Sequence, residues 1–96
     1  MTKLQYKSIA VVDDEQDIIT LFKAVIQENG YLMIGFINPL FALNYVNNHP
    51  TEFGLIILDY RMSPMQGCEL ANKISTINSK IKMVLITAYN DIVNMI

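Results

Sequence analysis

Short apolar runs alternate along the chain with stretches in which apolar residues recur every three or four positions. Lys7 to Val12 is rich in β-branched residues and stops at Asp13-Asp14, while Phe53 to Leu58 stops at Asp59. Both runs suit parallel strands buried on two faces. Between them, Ile18, Leu21, Phe22, Val25 and Ile26 fall at helical spacing within Glu15 to Asn29, and Gly30 stands where a helix C-terminal cap belongs. Tyr31 to Phe36 predicts a second strand. Asn38-Pro39 then offers an N-cap and a proline at the first helical position, opening a helix to about Asn48 that His49-Pro50 ends.

Tyr60 to Gly67, containing Ser63-Pro64, reads as a loop, and Leu70, Ile74 and Ile77 mark one face of a third helix. Met83 to Ile86 predicts a fourth strand ending at Thr87. Asp91 to Ile96 resembles the opening turn of a fourth helix. Strands and helices that alternate through short links predict an α/β fold, a parallel sheet with helices on both faces, because such crossovers are right-handed. The carboxyl ends of the first, third and fourth strands then share the edge at which α/β sheets bind ligands.

Composition narrows the function classes. The 96 residues carry a net charge of −2 with both signs scattered, which offers no electrostatic footprint for nucleic acid or an anionic membrane. Cys68 is the single cysteine and has no internal disulfide partner, and no N-terminal apolar stretch suits a signal peptide or a span. One cytoplasmic domain is the expectation. Cys68 itself reads as a buried or half-buried small apolar residue, His49 as a loop residue, and Met62, Met65 and Met83 as core and loop packing.

Three motifs at three strand ends carry a resemblance: Val11-Val12-Asp13-Asp14-Glu15; Leu58-Asp59-Tyr60-Arg61-Met62 with Gly67 eight residues after Asp59; and Ile86-Thr87-Ala88. With these the chain resembles the receiver domain of two-component response regulators, which accepts a phosphoryl group from a histidine kinase or phosphotransfer protein. The resemblance covers residues 1–96 and implies a flavodoxin-like sheet ordered 2-1-3-4-5. It implies Asp59 as phospho-acceptor, Asp13 and Asp14 as the acidic pair that holds Mg2+ together with Asp59, Arg61 as a metal ligand through its backbone carbonyl, and Thr87 as the hydroxyl that grips the phosphoryl group and switches. Arg61 and Tyr89 occupy positions that in this family tune the lifetime of the acyl phosphate.

The chemistry is consistent with those residue types. A carboxylate can split phosphotransfer into two steps through an acyl phosphate, provided the repulsion between two anions is removed first. Mg2+ prefers oxygen ligands and usually takes one or two carboxylates with phosphate oxygens and water. The pattern also departs from the family. The sheet is expected as 2-1-3-4 with the fifth strand missing, and with it the lysine that pairs with the phosphoryl group and an aromatic switch residue. A fragment, a homodimer or chain-swapped pairing at the fourth-strand edge, and a pseudo-receiver acting as a phosphorylation-independent interaction module remain open. A metal-dependent phosphatase would carry a second Asp where Arg61 stands, so a turnover enzyme is not expected.

Overall fold

The computed structural model describes residues 7–87, in which the apolar runs become strands and the periodic stretches become helices. The elements are β1 (Ser8–Val12), α1 (Gln16–Glu28), β2 (Met33–Phe36), α2 (Pro39–Asn48), β3 (Phe53–Asp59), α3 (Gly67–Ile77) and β4 (Lys82–Ile86). All neighbouring strands are parallel and the order is β2-β1-β3-β4, as the flavodoxin-like reading requires. The helix expected over Asp91 to Ile96 lies outside the described residues. Among the described residues no helix is long and apolar enough to cross a membrane.

Alternation along β1 divides the core. Val11 points to one face and packs with Ile19 and Ile26 of α1 and Met33 of β2. Ala10 and Val12 point to the other, joining Ile56, Leu58, Val46, Leu70 and Ile74 beneath α2 and α3. Register then fixes the edge. Val12 pairs with Leu58, and Asp59 pairs with Ile86, so the acidic strand ends and Thr87 emerge on one side of the sheet.

Local hydrogen bonds explain where the elements differ from the sequence reading. Gly30 takes φ +86°, a conformation open to glycine, and the N–H of Gly30 donates to the Gln27 carbonyl at 3.0 Å while that of Tyr31 donates to Ile26 at 3.2 Å. The Tyr31 amide is therefore spent on closing α1, and β2 begins at Met33 rather than at Tyr31. At α2, the Asn38 side chain accepts from the Leu40 N–H at 2.9 Å, with Pro39 in the first turn, as its sequence predicts.

Two burial expectations are corrected. The face of α1 against the sheet is Ile19, Phe22 and Ile26, whereas Leu21 and Val25, expected on it, are 61% and 50% exposed. Both stripes recur at helical spacing, and only contact with the sheet decides between them. Cys68 is exposed, not buried or half-buried. It follows Gly67 in the first turn of α3, and about 100° of helical rotation carries it off the sheet-facing stripe of Gly67, Leu70 and Ile74. Met62 and Met65 are buried and Met83 packs against the same cluster, as expected. His49 caps α2, stacked on Tyr45 at 4.2 Å between ring centroids.

Candidate functional site

The site grows from the backbone of two adjacent strands. Asp13 follows the last residue of β1 and its N–H donates to the Phe36 carbonyl at 3.0 Å, which continues the ladder by one step and holds the residue at the sheet edge. Its Oδ1 accepts the Glu15 N–H at 2.9 Å, turning the chain into α1. Asp14 is left exposed between them. Asp59 closes β3, where the next amide, that of Tyr60, donates to the Ile86 carbonyl at 2.7 Å and binds the site to β4.

A glycine brings α3 up against this turn. The Gly67 N–H donates to the Tyr60 carbonyl at 3.0 Å, and a Cβ built on Gly67 would collide with the Asp59 carbonyl oxygen and lie 2.9 Å from Leu85 Cδ2. Only a residue without a side chain lets the helix start so close to the Asp59 backbone.

The result is a cluster in which Asp13, Asp14 and Asp59 each offer a carboxylate oxygen, all within 4.8 Å of one another. Burial and concentrated negative charge both act on these carboxyls. Burial, then the neighbouring Asp13 carboxylate, push Asp59 from 3.8 up to about 6, against the opposing effect of a hydrogen bond from the Arg61 backbone. Asp13 is raised as well, first by burial and then, despite its bond from Glu15, by the charges of Asp14 and Glu15. Three carboxylates gathered this closely, two of them raised by burial and by their neighbours' charge, suit a hard divalent cation, which would offset that repulsion.

The remaining sequence-predicted residues stand around this cluster. Thr87 directly follows β4, one residue beyond the register partner of Asp59, and is partly buried. Arg61 lies two residues after Asp59 and lines, with Asp14, Met62, Ser63 and Gln66, a cleft of about 320 Å³ beside the carboxylates. Ala88 and Tyr89 lie outside the described residues. Sequence reasoning missed Ser63 and Gln66, whose loop positions carry no periodicity, and it missed that Glu15 adds to the charge felt by Asp13 and Asp59.

Comparison with known proteins matches this geometry. The family model for the response regulator receiver domain matches residues 9–96. Sporulation initiation phosphotransferase F of Bacillus subtilis (strain 168) is 29% identical over 86 residues, which are 90% of this chain and 68% of that protein. Transcriptional regulatory protein ZraR of Klebsiella oxytoca is 34% identical over 88% of this chain, which spans 18% of that regulator. Among solved structures, response regulator protein TrrA of Thermotoga maritima, in complex with Mg(2+)-BeF, superposes with a TM-score of 0.78 at 36% identity, over 88% of this chain and 72% of its own.

A response regulator receiver domain from Clostridium thermocellum superposes with a TM-score of 0.85 at 20% identity, over 92% of this chain and 70% of its own, a likeness of fold. Receiver domains are signalling modules that interact with histidine kinases or phosphotransfer proteins and bind Mg2+ at an acidic pocket. A parallel sheet in the order 2-1-3-4, carboxylates gathered at its carboxyl edge and a family match from Ile9 to Ile96 lead to one assignment: the chain belongs to the response regulator receiver family.

Proposed function

We propose that the chain accepts a phosphoryl group on Asp59 from a histidine kinase or phosphotransfer protein, in a Mg2+-dependent step of two-component signalling in the cytoplasm. The observation that carries this reading is the convergence of Asp13, Asp14 and Asp59 to within 4.8 Å from the ends of two neighbouring strands. The relative solved with Mg(2+)-BeF supports it. Asp13, Asp14, Asp59 and the Arg61 backbone carbonyl would hold the cation, which when bound supplies the positive charge that lets an anionic nucleophile meet an anionic phosphoryl group.

The chain's own groups divide the remaining work. An Asp59 carboxylate oxygen forms the new bond to phosphorus as the bond to the donor nitrogen breaks, with its electron pair returning to the imidazole. The Thr87 hydroxyl, emerging beside Asp59, donates to a phosphoryl oxygen. The phosphorylated surface then changes its fit to a partner, and hydrolysis resets it, so the protein takes part in its own phosphorylation without turning over a substrate. This segment makes no direct contact with nucleic acid in the proposed role.

Incubation with acetyl phosphate and Mg2+ tests the reading by intact mass. A phosphate-sized gain is expected in the wild type and absent from Asp59→Asn. A wild type that gains nothing, or a variant that gains as much, overturns it.

A further inference from the structure

We propose that the groove between α2 and α3 binds a small organic carboxylate with a hydrocarbon body, a medium-chain fatty acid by class. The groove holds about 420 Å³, a volume typical of small-molecule sites. It shares no residue with the carboxylate cluster, so the inference does not depend on Asp59.

Two helix stripes form its walls. Leu40, Leu43, Asn44 and Asn47 recur at helical spacing along α2, and Lys73, Thr76 and Ile77 do so along α3. Leu43 and Ile77 pack against the core beneath, and beyond the helix ends the Asn78 side chain donates to the Pro50 carbonyl at 2.8 Å, which ties the walls together. A ligand therefore meets a groove already held in shape. Leu40 supplies the apolar surface left open: it is 45% exposed beside Leu43, and covering it with hydrocarbon removes that surface from water. The α2 stripe turns polar after Leu43, so the apolar seam is too short for the anchors of a partner helix, which recur over two turns or more.

The polar groups decide the sign of the ligand. Lys73 is the one charged residue of the lining, and its ammonium makes no ion pair among the described residues. The side-chain amides of Asn44 and Asn47 make no hydrogen bond among the described residues either, so their N–H groups are open to a ligand. Thr76 differs, since its hydroxyl hydrogen is spent on the Lys73 carbonyl at 2.7 Å. An ammonium and two amides beside an apolar floor match a carboxylate that carries a hydrocarbon tail: the head accepts from the donors while the tail covers Leu40. A cation would meet Lys73 with repulsion, and a neutral hydrocarbon would leave these donors unused.

The test is a titration of the isotope-labelled chain with octanoate, followed by amide chemical shifts, with octylammonium as the matched cation. Saturating shifts are expected around Leu40, Asn44 and Lys73, and none there with octylammonium. Both Lys73 and Leu40 are exposed, so Lys73→Gln and Leu40→Ser leave the core intact, and unchanged shifts in β1 and β3 check this. The Kd for octanoate is expected to rise about threefold in Lys73→Gln, as for an exposed charge contact, and about fivefold in Leu40→Ser through lost apolar burial. Absence of saturating shifts at the groove, equal binding of octylammonium, or a Kd that neither variant moves overturns the proposal. Groove shifts that follow chain concentration instead of octanoate overturn it too, because they would make this surface a contact between copies of the chain.

Discussion

Asp59 is held in a setting that opposes its own ionisation, and the opposition has a thermodynamic signature. In the unfolded chain its carboxyl titrates near 3.8, and in the folded chain near 6. Between those values the folded state keeps a proton that the unfolded state has released, so this group's contribution to stability is present at low pH and is lost as pH rises through the window. Without added Mg2+, the urea midpoint is expected to fall between pH 5 and pH 7.5. Asp59→Asn, which removes the charge but keeps the shape, flattens that slope and raises stability at pH 7.5 by about 1 kcal/mol once solvent screening of a partly exposed site is allowed for. A midpoint that is level over this range, or a slope as steep after the substitution as before it, contradicts the assignment, since Asp13, also raised, accounts for only part of the slope. The positions of the three carboxylates were legible in the sequence, because an apolar run that stops at Asp places charge at a strand end. Their mutual repulsion was legible too, once the strand ends were placed on one edge; burial, the larger cause of the rise at Asp59 and Asp13, was not, since it depends on how the strand ends pack.

Helix boundaries are written in short-range chemistry wherever the backbone needs a particular residue. Asn38 is such a case: its side chain satisfies the Leu40 amide, and Asn38→Ala is expected to lower unfolding stability by about 1 kcal/mol in chemical denaturation. Gly67 is a stronger one, because an added methyl would meet both the Asp59 carbonyl and Leu85. Gly67→Ala is expected to lose about 2–3 kcal/mol by the same measurement, and to weaken phosphorylation of Asp59 by shifting the backbone that carries it; a variant as stable as the wild type would show that the α3 start can move. Among the described residues the four strands and three helices were legible in the sequence, since each run has a period of its own and a Gly, Pro or Asn at its limits. What it concealed were choices between equivalent patterns. The stripe of Ile18, Leu21 and Val25 looks as apolar as that of Ile19, Phe22 and Ile26, and sheet contact alone selects the second. Tyr31 has the composition of a strand residue, but its amide closes α1. Cys68 has the character of a core residue, and the rotation of α3 places it in solvent.

The two faces of the sheet are unequal, and the acidic site joins them. Among the described residues, twelve buried ones form the cluster under α2 and α3, whereas four form the one under α1. Leu21 and Val25 of α1 stay largely in water, and Val84, whose register partner Ile57 packs on the α1 face, is 51% exposed. Fewer buried apolar contacts mean a smaller free energy for local opening. Amide hydrogen exchange in this chain is therefore expected to show lower protection across α1 than across the interior of α3, by at least ~1 kcal/mol in opening free energy. Asp13 and Asp14 lead directly into α1, while Asp59 is tied through Tyr60 and Gly67 to the start of α3. A cation held between these carboxylates cross-links the weaker layer to the stronger one, and ligand binding stabilises by mass action whatever opening would break the site. Addition of Mg2+ should then raise protection in α1 more than in α3, and Asp13→Asn should reduce that difference. Equal protection of the two helices without Mg2+, or a gain confined to α3 with it, would show that the carboxylate site does not brace α1 against the sheet.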